Sequence, residues 1–502
     1  MRSAFVAALL LIGLPCLAQT SVPMIAAADL QADEAVLRRA YEQLHPGLYR
    51  YNTKTQMDAN FEALHARLGH DQSLQDAYMA FSEFAAKVRC GHTQTNPLNQ
   101  SKATIAALFK GQTRVPFYFE WLNGHMIVTR DFTPDHALPV GTDVVRLNGV
   151  AAPAILKKLM TIARADGGND SKRVAQLAVN GDGNYEAFDL YYPMYFPQMS
   201  TSDALVVRRP KHRATETVTV TALTFEQRIA PIKEREAQRS GGGDAVLFEW
   251  KYLTDGSAYL KMPTWALFNS KWDWKAWLSA HLDEAAERKP PALIVDIRGN
   301  EGGLDVGNEI VPHLIDAPIT LTSLRRLVRY RKVPDDLVPY LDTWDKSFRD
   351  WKTAAVELPE PWPTTPAGVH YLKLSRYDDS EGGDVIKPSG KRFRGKVVVL
   401  TDATNSSATF GFAQTVQTLH LGTLVGQTTG GSQRGINGGA FFFLRLPHSS
   451  IELDLPLIGY FPAAPTPDAG IAPDVAVTRT AADVASGFDR AMDAAARVVA
   501  TR

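Results

Sequence analysis

The chain has 502 residues, 45% of them hydrophobic, with 54 Lys+Arg against 54 Asp+Glu. That length allows roughly two to four domains, each with a core of its own. The zero formal net charge and the lack of a basic tract interleaved with aromatics exclude nucleic acid and an anionic membrane surface as expected partners.

Arg2 followed by the apolar run "AFVAALLLIGLPCLA" reads as a signal peptide over residues 1–18, too short to span a bilayer. The mature protein is therefore expected to be periplasmic or secreted, with no stable membrane insertion once the signal is removed. Pro15 before Cys16 makes a poor lipid-attachment site, and loss of Cys16 leaves Cys90 without a disulfide partner. Stability then has to come from cores.

Residues 30–104 read as a helical domain: "DEAVLRRAYEQL", "MDANFEALHARL" and "LQDAYMAFSEFAAKV" each repeat apolar positions at three and four. It ends in "RCGHTQTNP", a loop or strand entry that carries His92. Residues 105–225 change period. "VPFYFEWLNGHMIVTRDF" gives two strands around the turn Asn123-Gly124, and "ETVTVTAL" is an alternating strand. After the junction "AQRSGGGDAV", residues 245–500 alternate apolar strands with helical segments, the pattern of an α/β layered core. In this region "ALIVDI" runs into the glycine turn "RGNEGG", and "VGNEIVPHLI" reads as helical. An aromatic insertion over about 325–390 carries Trp344, Trp351 and Trp362, which suit either core packing or a lid. Then come "KVVVL", a serine turn, a helix and "TLVG", with "AFFFLRLP" and "IELDLPL" expected to finish the core.

Ser406 and Ser407 stand between the buried strand and the helix. Serine is a favoured helix N-cap. A hydroxyl at that place can also be a nucleophile, because the free N–H groups and dipole of the helix start stabilise an oxyanion. The backbone N–H of Ala408 would be one donor. "DIRGNEGG" (Asp296 to Gly303) is the candidate for the second, since glycines after a strand bring backbone N–H groups close to a ligand. No metal site or cofactor is expected: there is no HExxH, Cys cluster, P-loop or G-x-G-x-x-G.

These stretches carry a resemblance. "ALIVDIRGNEGG", "TNSSATFGFA", "TLVGQTTGG" and "GIAPDVAV" resemble, in order, motifs of the tail-specific protease (C-terminal processing peptidase) family of serine proteases. "VGTDVVRLNGV" resembles an element of that family's PDZ-like domain, and "RCGHT" the Gly-His-Thr step of members related to the tricorn core protease. The resemblance implies a Clp-protease/crotonase-like core, a PDZ-like β-rich domain, an N-terminal helical domain and a peptide or protein substrate. It places the nucleophile at Ser407 and the oxyanion donors at Ala408 and Gly302 or Gly303. Where Ser/Lys members carry their lysine this chain has Ser432, and no lysine follows Ser407. His92 is therefore the expected base, its imidazole able to take and return a proton near neutral pH. The family's carboxylate position is occupied by Pro467, which leaves Asp468 as the nearest candidate to orient His92. Two other functions fit the same residues: a non-catalytic ligand- or peptide-binding protein on this fold, and an esterase. Oligomeric state is not legible.

Overall fold

The computed structural model describes residues 24–197, 201–239, 246–320, 324–360, 365, 367–376 and 385–501. The signal-peptide segment 1–18, Cys16, part of the "AQRSGGGDAV" junction and Trp362 lie outside them. The architecture is mixed α/β.

Three helices, Ala27–Leu44, Lys54–Arg67 and Leu74–Lys87, form the N-terminal part. Thr53 and Ser73 accept from the backbone N–H three residues on, and these caps start the second and third helices. The buried stripe of the first helix (Leu30, Leu37, Tyr41, Leu44) belongs to one apolar cluster with Phe61, Phe81 and Phe84.

An antiparallel sheet follows, with strands in the order Phe117–Leu122, His125–Asp131, Asp143–Leu147, Ser202–Arg208 and Glu216–Thr221. Asn123 and Gly124 both take positive φ (52° and 79°), the turn that matches the twist of a two-residue hairpin.

The third layer is a sheet whose order is Val475–Ala476, Thr423–Gly426, Lys396–Thr401, Ala292–Asp296, Ala258–Lys261, Glu249–Tyr252, parallel except at the last pair. Its central strands are apolar throughout because both faces are covered. Leu293, Val295, Val397 and Val399 pack with Leu278, Leu282, Ala413 and Val416 of helices Trp274–Arg288 and Ala408–Thr418. Ile294, Val398 and Leu400 face Ala495 of the helix Arg490–Ala500.

The strands Ile436–Arg445 and Glu452–Phe461 do not join this sheet, contrary to the sequence expectation. They form a long hairpin at the centre of a second antiparallel sheet, with Leu341–Asp342 on one side and Arg325–Val328, Leu372–Leu374 and Ala355–Glu357 on the other. The insertion thus supplies strands. Its Trp351 is 3% exposed, whereas Trp344 is 61% exposed. "VGNEIVPHLI" gives only the short helix Gly307–Ile310 and a 3-10 turn. The hairpin is buried under the N-terminal helices. There Asp33, 0% exposed, accepts the N–H groups of His448 and Ser449 at 2.9 and 2.8 Å and fixes the hairpin's tip.

Candidate active site

The paired strands Ala292–Asp296 and Lys396–Thr401 run parallel, with Asp296 opposite Leu400, so the loops leaving their carboxyl ends lie side by side. Ligand sites of α/β sheets form there. Asn405, 0% exposed, stitches the two loops: its Nδ2 donates to the carbonyls of Ile297 and Asn300, and its Oδ1 accepts from Asp402 N–H at 2.8 Å. The Asp402 carboxylate takes the N–H groups of Gly299 (2.8 Å) and Thr404 (2.9 Å), and Thr409 Oγ1 donates to Asn300 O at 3.0 Å.

This bracing holds Ser407 at φ 55°, ψ −128°, directly before the helix Ala408–Thr418. A non-glycine residue there is strained, by about 1–3 kcal/mol. A capping serine would sit in the extended region with its oxygen on a helix N–H. Ser407 makes no such bond. Ser406 is also engaged elsewhere, its hydroxyl donating to Glu301 O at 3.2 Å. The geometry matches the strained strand-to-helix turn that exposes a nucleophile in α/β-hydrolases.

Gly302 packs against this turn. A Cβ there would lie 2.9 Å from Ser407 Cβ and 3.0 Å from Ala408 N, and its φ of 104° also demands glycine. The Gly302 N–H donates to Asn300 Oδ1 at 2.9 Å. The N–H groups of Gly303 and Ala408 donate to no protein group among the described residues.

His92 sits in a turn pinned from several parts of the chain. His45 Nε2 bonds Thr93 Oγ1 at 2.8 Å, and Asn437 Nδ2 donates to Cys90 Sγ at 3.3 Å. Gln94, Asn96 and Asn99 converge on the Asp454 carboxylate. On the remaining side, Asp166 Oδ1 accepts Gly91 N–H at 2.9 Å, Arg164 donates to Gly91 O, and Gly167 N–H donates to Arg89 O at 2.9 Å. Burial pulls the His92 imidazole below its ordinary pKa; Asp166 and Glu301 oppose this, and Arg164 and Lys172 add to it. The ring is therefore neutral near pH 7, as a base must be. Among the described residues its Nδ1 is buried without a hydrogen-bond partner, and no hydrogen bond joins it to Ser407.

The link between the two residues runs through Glu301, next to Gly302. Its carboxylate meets Lys172 Nζ at 2.5 Å and Arg164 at 3.3 Å, and Lys172 also donates to Thr404 O at 2.8 Å. Burial would push the Glu301 carboxyl up, but Lys172 and Arg164 outweigh it and hold it well below the ordinary range.

The Asp468 carboxylate accepts from Gly168 N–H at 3.0 Å and Ser432 Oγ at 3.2 Å. The carboxylate acting most strongly on the ring is Asp166, 2% exposed. Nothing in the sequence singles out Asp166, Arg164 or Lys172. They lie in "ARADGGNDSK", a loop-like stretch whose only signal is an unusual density of charge among glycines.

Residues 256–477 match the family model described as peptidase family S41. No curated protein matches the chain. Among solved structures, mature CPAF complexed with lactacystin aligns at a TM-score of 0.60 and 14% identity, over 94% of this chain and 98% of that one. Mature CPAF alone aligns at 0.58 and 15%, over 94% and 96%. The photosystem II D1 C-terminal processing protease reaches only 0.42 at 14% identity, over 94% and 97%. At these identities the likeness shows a shared fold.

Proposed function

We propose that the chain, whose residues 256–477 match peptidase family S41, is a serine-type peptidase with Ser407 its nucleophile, His92 its general base and Asp166 the carboxylate that braces the His92 turn through Gly91 N–H. The single observation carrying this reading is the strained, unbonded Ser407 at a helix start, in contact with a glycine loop.

In this mechanism Ser407 Oγ attacks the carbonyl carbon of a peptide bond while His92 accepts the hydroxyl proton. The negative charge that develops on the carbonyl oxygen is met by the N–H groups of Ala408 and of the Gly302–Gly303 loop. Gly302 N–H joins by exchanging the neutral Asn300 side chain for an anion, the stronger acceptor. His92 then returns the proton to the leaving amine, and water hydrolyses the acyl-enzyme.

Fluorophosphonate labelling tests the assignment. Ser407→Ala is expected to abolish labelling and peptide hydrolysis with the fold intact, while Ser406→Ala retains both. Undiminished labelling of Ser407→Ala would refute it. The missing Ser407–His92 hydrogen bond favours a second reading, a binding protein on the same fold, for which the unaltered chain would not label at all.

We also assign export to residues 1–18 and a PDZ-like role to residues 105–225. The first is checked by the N-terminal sequence of the mature protein in the periplasm or medium.

A further inference from the structure

Beside His92 lies a group of aromatic rings that the chemistry does not use. The hairpin strand Ile436–Arg445 turns Ala440, Phe442 and Leu444 into the core and leaves Phe441 and Phe443 on the opposite face, partly exposed. The Phe441 ring centroid is 5.8 Å from the His92 ring. Trp344, 61% exposed, lies tilted against both, its ring centroid 6.0 Å from Phe441 and 5.9 Å from Phe443. It enters from the adjoining edge, where Asp342 pairs with Phe443. On the hairpin's other strand, Asp454 stands opposite Phe443 and anchors the loop that follows His92; Leu98 on that loop is 69% exposed. The rings therefore form a shelf that begins at the imidazole and continues outward between Trp344 and the His92 loop. Contiguous exposed apolar surface of this kind marks a binding site.

The chemistry fixes which part of a substrate meets it. The base that receives the serine proton returns it to the leaving amine, so the residues after the cleaved bond lie on the histidine side. An extended peptide advances about 3.3 Å per residue, so rings 5.8 Å from His92 and a further 6.0 Å out fall alongside the first few such positions.

Resting on Ser407 and His92 as nucleophile and base, we propose that Phe441, Phe443 and Trp344 form a subsite for bulky apolar side chains just after the cleaved bond. The substrate class is thus a peptide with an aromatic or large aliphatic residue within three positions beyond the cut. Aromatic contact and apolar burial supply the discrimination.

The test uses the full mature chain. A peptide cut from denatured casein, with its cleavage point found by mass spectrometry, is remade with Phe, Leu or Ser at each of the first three positions after the cut. A p-nitrophenyl acetate assay, which leaves those positions empty, reads the nucleophile separately. The expected result is a kcat/KM about tenfold higher for Phe or Leu than for Ser at one of these positions. In Trp344→Ala and Phe443→Ala that ratio is expected to fall below about threefold. Ester hydrolysis with no such preference, or a preference intact in both variants, overturns the subsite and leaves Ser407 and His92 standing. Failure to hydrolyse either ester or peptide overturns the reading of the site and the subsite with it.

Discussion

Ser407 and Ser406 are neighbours of the same type, and the sequence could separate them only by resemblance. The backbone separates them physically. Ser406 is tied to Glu301 O, while Ser407 bears the strain and its hydroxyl makes no capping bond. The same scale shows why Asp166 is not legible in the sequence: it reaches the histidine turn through Gly91 N–H, a contact between segments with no shared pattern. Its charge raises the His92 pKa against the stronger effect of burial. The rate is thus expected to rise with pH through a pKa below the ordinary value of about 6.5. In Asp166→Asn the acid limb should move to lower pH and kcat should fall; a kcat/KM–pH profile checks both. Gly302→Ala would set a Cβ 2.9 Å from Ser407 Cβ at a φ that L-residues avoid. It is expected to lose activity and about 1–3 kcal/mol of stability, as read by urea unfolding.

At the scale of elements, the strongly periodic pieces were legible. The three N-terminal helices, the Asn123-Gly124 hairpin and the buried strands Ala292–Asp296 and Lys396–Thr401 appear where apolar spacing put them. The hairpin Ile436–Phe461 reads as strands that finish the α/β core, yet it forms the centre of a separate sheet. Apolar runs show that a strand is buried, not which partner buries it, and here the partners come from the insertion. Asp33 likewise reads as one more acid on an amphipathic helix, yet it holds the hairpin tip through two backbone N–H groups. Asp33→Ala strands both donors, and a loss of about 2–4 kcal/mol is expected in urea unfolding. A loss below about 0.5 kcal/mol would show that the tip holds itself.

At the scale of the whole molecule, the proposed site is an assembly. His92 comes from the helical part, Arg164 and Lys172 from the stretch between strands of the middle sheet, and Glu301 and Ser407 from the parallel core. Glu301 joins these parts. Glu301→Gln leaves the Lys172 ammonium, 3% exposed, without its counter-charge. It should cost about 1–3 kcal/mol and reduce kcat more than it raises KM. A second, pH-dependent tie is His45, whose burial pulls its pKa down to about 3. It is buried as the neutral ring, so its contribution to stability is complete above the unfolded value of about 6.5 and is lost as pH falls toward about 3. Tm measured across that window should drop less in His45→Gln than in the unaltered chain. Whether residues so far apart in sequence act as one site is read most directly by locating a fluorophosphonate adduct by mass spectrometry, in the unaltered chain and in His92→Ala. A single adduct on Ser407, formed far more slowly in His92→Ala, is the expected result. An adduct on another residue, or one formed on Ser407 at the same rate without the imidazole, would contradict the joint action of Ser407 and His92.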